Sequence, residues 1–152
     1  MLLKEIVDAK HYIFVDSCED WEDSLKKCCI PLIADGTIDE CYTEDIIKSV
    51  KEHGPYIILL PGVGLPHAMK GAKGVHKTAI GFMKSEKPVI FDPEDEEKYA
   101  NIFFTLAAED GDEHMKNMKK LFRMLTDEDL LAELMEVKSP EDLLALDLKY
   151  SD

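Results

Sequence analysis

Residues 57 to 68 read Ile-Ile-Leu-Leu-Pro-Gly-Val-Gly-Leu-Pro-His-Ala, and they deliver a histidine, His67, on a stiff turn directly after Pro66. Imidazole changes charge near neutral pH, so it can act as general base, metal ligand or phosphoryl acceptor. Pro66 fixes its own φ and pushes Leu65 towards extended geometry. Gly62 and Gly64 open conformations closed to other residues and let a partner approach closely. A reactive side chain on a rigid loop at a strand end is where function concentrates. A second imidazole, His114, stands near the first turn of an expected helix, where unpaired N–H groups and the helix dipole favour an anion. Glu109, Asp110, Asp112 and Glu113 surround it. They would repel a phosphate if they faced it, and they are read as capping the helix and facing solvent.

The elements that must carry these side chains alternate along the chain. His11 to Asp16 reads as a short strand. Ser17 is placed as the cap of a helix running to about Ile33, with Asp20 at the capping-box position. Trp21, Leu25, Cys28, Cys29 and Leu32 share one face of it, and Pro31 is expected to end or kink it. Thr43 is taken to start a second helix that buries Ile46, Ile47 and Val50 and stops at Gly54-Pro55. Strands are expected at about 56–60, 76–83 and 88–91, with a central, aromatic-rich one around 102–107. The last third reads as helical. Asp110 with Glu113 resembles a capping box, followed by an apolar stripe of Met115, Met118, Leu121, Phe122 and Leu125. Thr126 and Ser139 are placed as caps of two short helices starting near 127 and 140. This order implies one α/β layered domain over residues 1–152, with a mixed sheet and helices on its faces.

Composition narrows the function classes. A chain of 152 residues can bury a proper core, and no apolar stretch approaches the roughly 20 residues that span a bilayer. The N-terminus lacks the pattern of a signal peptide, so a cytoplasmic location is expected. Cys18, Cys28, Cys29 and Cys41 have no Cys-x-x-Cys spacing and read as reduced, mostly buried thiols. The net charge of −14 argues against nucleic acid and anionic lipid as partners. It favours a basic protein partner met by electrostatic steering. The densest acidic run, Asp92 to Glu97, reads as a solvated loop leading into a helix.

The stretch Gly54 to Ala68, with Gly74 to Phe82, Pro88 to Phe91, Leu106 to Ala108, Asp112 to His114, Leu121 to Leu125 and Ser139 to Leu144, resembles enzyme IIA components of the bacterial sugar phosphotransferase system. The type is mannitol/fructose, and within it the ascorbate and galactitol branch. The resemblance covers nearly the whole chain and is firm from about residue 43. It implies a three-layer α/β/α sandwich with a mixed, roughly five-stranded sheet. It implies also a protein-to-protein phosphotransferase that needs no cofactor and no metal. His67 matches the family's phosphorylated histidine and His114 its other active-site histidine. The donor would be phosphorylated HPr and the acceptor the cysteine of a separate enzyme IIB, with the membrane enzyme IIC involved indirectly.

Two further residues are weaker candidates for phosphate binding. Lys51 falls where mannitol-type members carry an arginine; it keeps the charge and loses the bidentate fork, and the reading as a solvated helix-surface lysine is favoured. His76 lies on an expected strand and points either into the site or away. His53, beside Gly54, reads as complementing a helix dipole. The segment Met69-Lys70-Gly71-Ala72-Lys73 replaces the Arg-Pro-Glu common in ascorbate-type relatives, a departure that bears on partner contacts. Other classes fit less well. Gly62-Val63-Gly64 lacks the third glycine of a dinucleotide site, the Gly-Lys-Ser/Thr of a P-loop is absent, and no ligand spacing points to zinc. A regulatory, phosphorylation-dependent binding module of the same family is the remaining alternative. The chain has no helix-turn-helix or basic region, which favours a transport component.

Overall fold

A computed structural model describes residues 2–69 and 73–151. Five strands form one mixed sheet: β1 (Tyr12–Val15), β2 (Ile58–Leu60), β3 (Gly62–Gly64), β4 (Ala79–Ile90) and β5 (Tyr99–Ala107). Their order across the sheet is β1-β4-β5-β3-β2. β1 runs parallel to β4 and β3 parallel to β5, while β4–β5 and β2–β3 are antiparallel. Among the described residues, six helices cover the sheet: α1 (Leu2–Asp8), α2 (Trp21–Ala34), α3 (Glu40–His53), α4 (Gly111–Leu125), α5 (Glu128–Leu134) and α6 (Pro140–Tyr150).

Side chains alternate across β5, and the alternation makes two cores. Ile102, Phe104 and Leu106 pack with Leu3, Leu121, Leu134 and Leu143 of α1, α4, α5 and α6. Phe103 and Ala107 face the other way, onto Leu25, Cys29 and Leu32 of α2 and Tyr42 and Ile46 of α3. The α/β expectation with a mixed five-stranded sheet is met, and the helices lie on both faces.

Several local expectations are corrected. The helix after β1 is capped by Asp20, not Ser17: the Asp20 carboxylate accepts from the N–H of Asp23 at 2.8 Å. Asp23 in turn accepts from the N–H of Glu19 at 2.9 Å. Pro31 does not end α2, which continues to Ala34. α3 starts at Glu40 rather than Thr43, because Asp39 is its extended N-cap residue, held by N–H donation to Gly74 O at 2.7 Å. Gly54, at φ 78°, closes α3. The two strands expected at 76–83 and 88–91 are one strand, β4, with its register to β5 shifted between Lys84 and Val89. Pro88 has no N–H for the ladder, and the Asn101 amide donates to Ser85 O at 3.1 Å and to Glu86 O at 3.3 Å.

In the last third, Asp110 caps α4 by accepting from Glu113 N–H at 2.9 Å, and Ser139 caps α6. Thr126 instead ends α4, and Asp127 caps α5. The buried face of α4 is Asn117, Leu121, Met124 and Leu125. Met115 and Phe122, placed in the apolar stripe, are exposed. The acidic run leads only into a 3-10 turn at Glu96–Lys98. α1 is an addition: Leu2, Leu3 and Ile6 are buried, and the Lys4 N–H donates to Asp147 of α6 at 3.0 Å. Among the described residues, no helix is long and apolar enough to cross a membrane.

Candidate active site

The turn that carries His67 is itself part of the sheet. β3 reverses from β2 at Pro61-Gly62 and runs beside the central strand β5. Gly62 sits at φ 86°, in the left-handed region where other side chains are strained. A Cβ there would lie 2.7 Å from Met135 Cε. The chain then leaves β3 into Leu65-Pro66-His67, and nearly every polar backbone atom of that loop is tethered. Leu65 N–H donates to Ile57 O at 2.8 Å, and Leu106 N–H to Pro66 O at 2.9 Å. The Tyr56 hydroxyl donates to His67 O. Ala68 N–H donates to the Tyr42 hydroxyl, and Met69 N–H to Ser49 Oγ, both at 3.4 Å.

The imidazole is oriented as firmly as its backbone. His67 Nδ1 lies 2.6 Å from Leu65 O. A carbonyl only accepts, so Nδ1 carries the proton and Nε2 holds the free lone pair. The Tyr56 ring meets the imidazole edge-on, with centroids 5.2 Å apart and planes at 87°. Burial pulls the His67 pKa below its ordinary value; the Leu65 carbonyl acts in the opposite sense, and His114 adds to the lowering. The ring is therefore neutral near pH 7, with Nε2 unprotonated.

His114 stands 5.5 Å from His67, centroid to centroid, with the rings tilted by 44°. It occupies the first turn of α4, and its N–H makes an intrahelical bond to Asp110 O at 3.0 Å. Two N–H groups ahead of it, on Gly111 and Asp112, precede the first intrahelical bonds of the helix. The two histidines share a cavity of about 430 Å³, bounded by Tyr42, Ala68, Met69 and the strip from Ala108 to Gly111. Its chemistry is that of a small anion-receiving pocket: an unprotonated ring nitrogen, a second imidazole and a helix N-terminus. Glu109 and Asp110 also line it. Asp110 is occupied with capping, and Glu113 is paired with Lys116 at 3.4 Å.

Lys51 and His76 are not among the residues bounding this cavity. Lys51 Nζ is 3.2 Å from Glu22 on α2. His76 precedes β4 rather than lying on it, and its Nε2 is 2.9 Å from Asp39. His53 occupies the last turn of α3, exposed, 3.8 Å from Glu52. All four cysteines are free thiols; Cys28 and Cys29 are buried, and Cys18 and Cys41 are half-buried. Within the departure at 69–73, residues 70–72 lie outside the described residues. Sequence reasoning missed Tyr42, Ser49 and Tyr56. The signal was there for two of them: Tyr42 and Ser49 are seven apart, so they share the α3 face that also buries Ile46.

The model of the family described as "Phosphoenolpyruvate-dependent sugar phosphotransferase system, EIIA 2" matches residues 5–148. An ascorbate-specific phosphotransferase-system EIIA component of Shigella boydii is 30% identical over 129 residues, covering 84% of this chain and 82% of the relative. The mannitol-specific cryptic phosphotransferase enzyme IIA component of Escherichia coli is 31% identical, covering 85% and 86%. Its solution structure superposes with a TM-score of 0.82 over 96% of this chain and 97% of that one. The mannitol enzyme IIA of E. coli, solved in complex with phosphorylated enzyme IIB, is 20% identical and shares the fold, with a TM-score of 0.73 over 90% and 99%.

Proposed function

The chain belongs to the EIIA 2 family of the phosphoenolpyruvate-dependent sugar phosphotransferase system, and on that premise we propose that it relays a phosphoryl group through His67 during sugar uptake. Its components are phosphotransferases acting between proteins. The donor is phosphorylated HPr and the acceptor is a cysteine of a separate enzyme IIB. The enzyme IIB assignment is carried over from the E. coli mannitol enzyme IIA, solved with that partner. The observation that carries the reading is the His67 tautomer: with Nδ1–H tied to Leu65 O, the lone pair on Nε2 is the nucleophile.

In the first step, Nε2 attacks phosphorus, a new P–N bond forms, and the P–N bond of the donor's phosphohistidine breaks. In the second, the enzyme IIB thiolate attacks, an S–P bond forms, and Nε2 recovers its lone pair. The proton stays on Nδ1 throughout, donated in a hydrogen bond to Leu65 O. Little covalent chemistry is asked of the surroundings; positioning and charge stabilisation do the work. His114 and the amides that open α4 are the donors to the transferred oxygens. Met69 bounds the cavity and Met115 follows His114; both are exposed and give the apolar contact that a docking protein needs. Lys51 and His76 are at most peripheral to this step, because each already faces a carboxylate.

The test is direct. Incubation with phospho-HPr should yield acid-labile, base-stable phosphate on Nε2 of His67, which then moves to enzyme IIB. Labelling by ATP without HPr, with no transfer from phospho-HPr, would sink the reading.

A further inference from the structure

We propose that Tyr42 is a positioning residue for this transfer: its hydroxyl closes a hydrogen-bonded frame that fixes both flanks of His67. The proposal rests on the reading of His67 as phosphoryl acceptor. The frame has one anchor, Leu106 on the central strand β5. Leu106 donates its N–H to Pro66 O at 2.9 Å, which holds the residue before His67. Its carbonyl accepts from the Tyr42 hydroxyl at 2.6 Å. The same hydroxyl oxygen accepts from Ala68 N–H at 3.4 Å, which holds the residue after His67.

A phenol has one hydrogen to give. Leu106 O can only accept it, so Tyr42 must face Ala68 as an acceptor, and the sense of both bonds is fixed. Tyr42 is 4% exposed, and burial pushes its pKa up, so the hydroxyl stays protonated over the working range of pH. The side chain also bounds the cavity that His67 and His114 share. It belongs to α3, 25 residues before His67, and thus ties the helix layer to the reactive loop. Tyr56 and Ser49 hold His67 O and Met69 N–H. Among the described residues, the hydroxyl of Tyr42 alone links the loop back to the β5 residue that holds its other flank. In-line displacement is sensitive to such placement: a displacement of about 1 Å costs on the order of 10²-fold in rate.

Tyr42→Phe keeps the ring and its packing, and leaves Leu106 O and Ala68 N–H without their partner. The expected result is a folded protein whose rate constant for transfer from phospho-HPr falls about 10- to 100-fold. The half-saturating phospho-HPr concentration should stay within about twofold. Nitrogen-15 NMR of the His67 ring should show a smaller share of the Nδ1–H tautomer than wild type. An unchanged rate constant, a loss confined to half-saturation, or a slowed rate with a wild-type imidazole spectrum would each overturn the proposal. If Tyr42→Phe does not fold, the wild-type protein still decides: the Ala68 amide should be protected from hydrogen exchange, and free exchange there refutes the frame. A wild type that takes no phosphoryl group on His67 refutes the functional reading instead. A phosphorylated wild type matched by Tyr42→Phe refutes only the role of Tyr42.

Discussion

His67 Nδ1 and the carbonyl oxygen of Leu65 lie 2.6 Å apart, so the histidine is oriented by its own loop, two residues back. The bond leaves Nε2 as the free lone pair, and burial keeps the ring neutral by drawing its pKa below the ordinary 6.5. With His67 as the proposed acceptor, protonation removes its lone pair, so the transfer rate should fall on acidification with a midpoint below 6.5. Stability at this site has the same sign. Its contribution is whole above the unfolded value and is lost as pH falls through the lowered one. Single-turnover transfer from phospho-HPr across pH measures the midpoint. A midpoint above 6.5 would mean that the ring is held charged.

The two histidines should separate by role. His67→Ala should fold and accept no phosphoryl group, because its side chain lies in a surface loop rather than in either core. His114→Ala should still be phosphorylated on His67, about 10²–10³-fold more slowly, the usual cost of one lost transition-state donor. Acid-labile phosphate, measured with time in each variant, tests both. Phosphate retained by His67→Ala would move the nucleophile elsewhere.

What the sequence made legible was local. The Pro-Gly-Val-Gly-Leu-Pro-His turn, the Asp110–Glu113 cap and the Gly54 stop are each decided within a few residues. What it hid was decided at long range. α1 is held by Asp147, 143 residues away. The short strand β3 exists because β5 lies beside it, although Gly-Val-Gly alone reads as loop. Tyr42 and Tyr56 reach the His67 loop only once α3 is packed on the sheet and β2 is paired with β3. On α4 the helical period was legible and the facing was not: Leu121 and Leu125 turn inward while Met115 and Phe122 stay exposed.

Gly74 and Gly36 offer a controlled pair for backbone strain. Both have positive φ, 81° and 79°. At Gly36 a Cβ would meet open space, whereas at Gly74 it would lie 2.6 Å from Cys41 Sγ and 3.2 Å from Tyr42 N. Gly36→Ala should therefore destabilise by the conformational strain alone, about 1–2 kcal/mol. Gly74→Ala should cost about 1–3 kcal/mol beyond that, because backbone beside Tyr42 must shift. Urea denaturation of the two variants decides it. Equal losses would show that the Cys41 contact relaxes freely.

Glu86 should set the acid limit of the opposite end of β4. Its carboxylate is hydrogen-bonded by Lys138 and by Lys84, the latter at 2.7 Å, and the two lysines, Lys138 first, hold its pKa down to about 2. Lys84 is buried, and it also donates to Val137 O at 3.1 Å, so Glu86 is the counter-charge to an ammonium inside the fold. A depressed carboxylate stabilises above its unfolded value of 4.5 and loses that contribution as pH falls through about 2. Glu86→Gln should thus be less stable than wild type at neutral pH, and the two should converge as the solution is acidified towards pH 2. The loss at neutral pH is the cost of leaving Lys84 charged and unpaired inside the fold. Denaturant titrations of both proteins between pH 7 and pH 2.5 measure it, and a gap that is absent at pH 7 or widens on acidification would contradict the pairing.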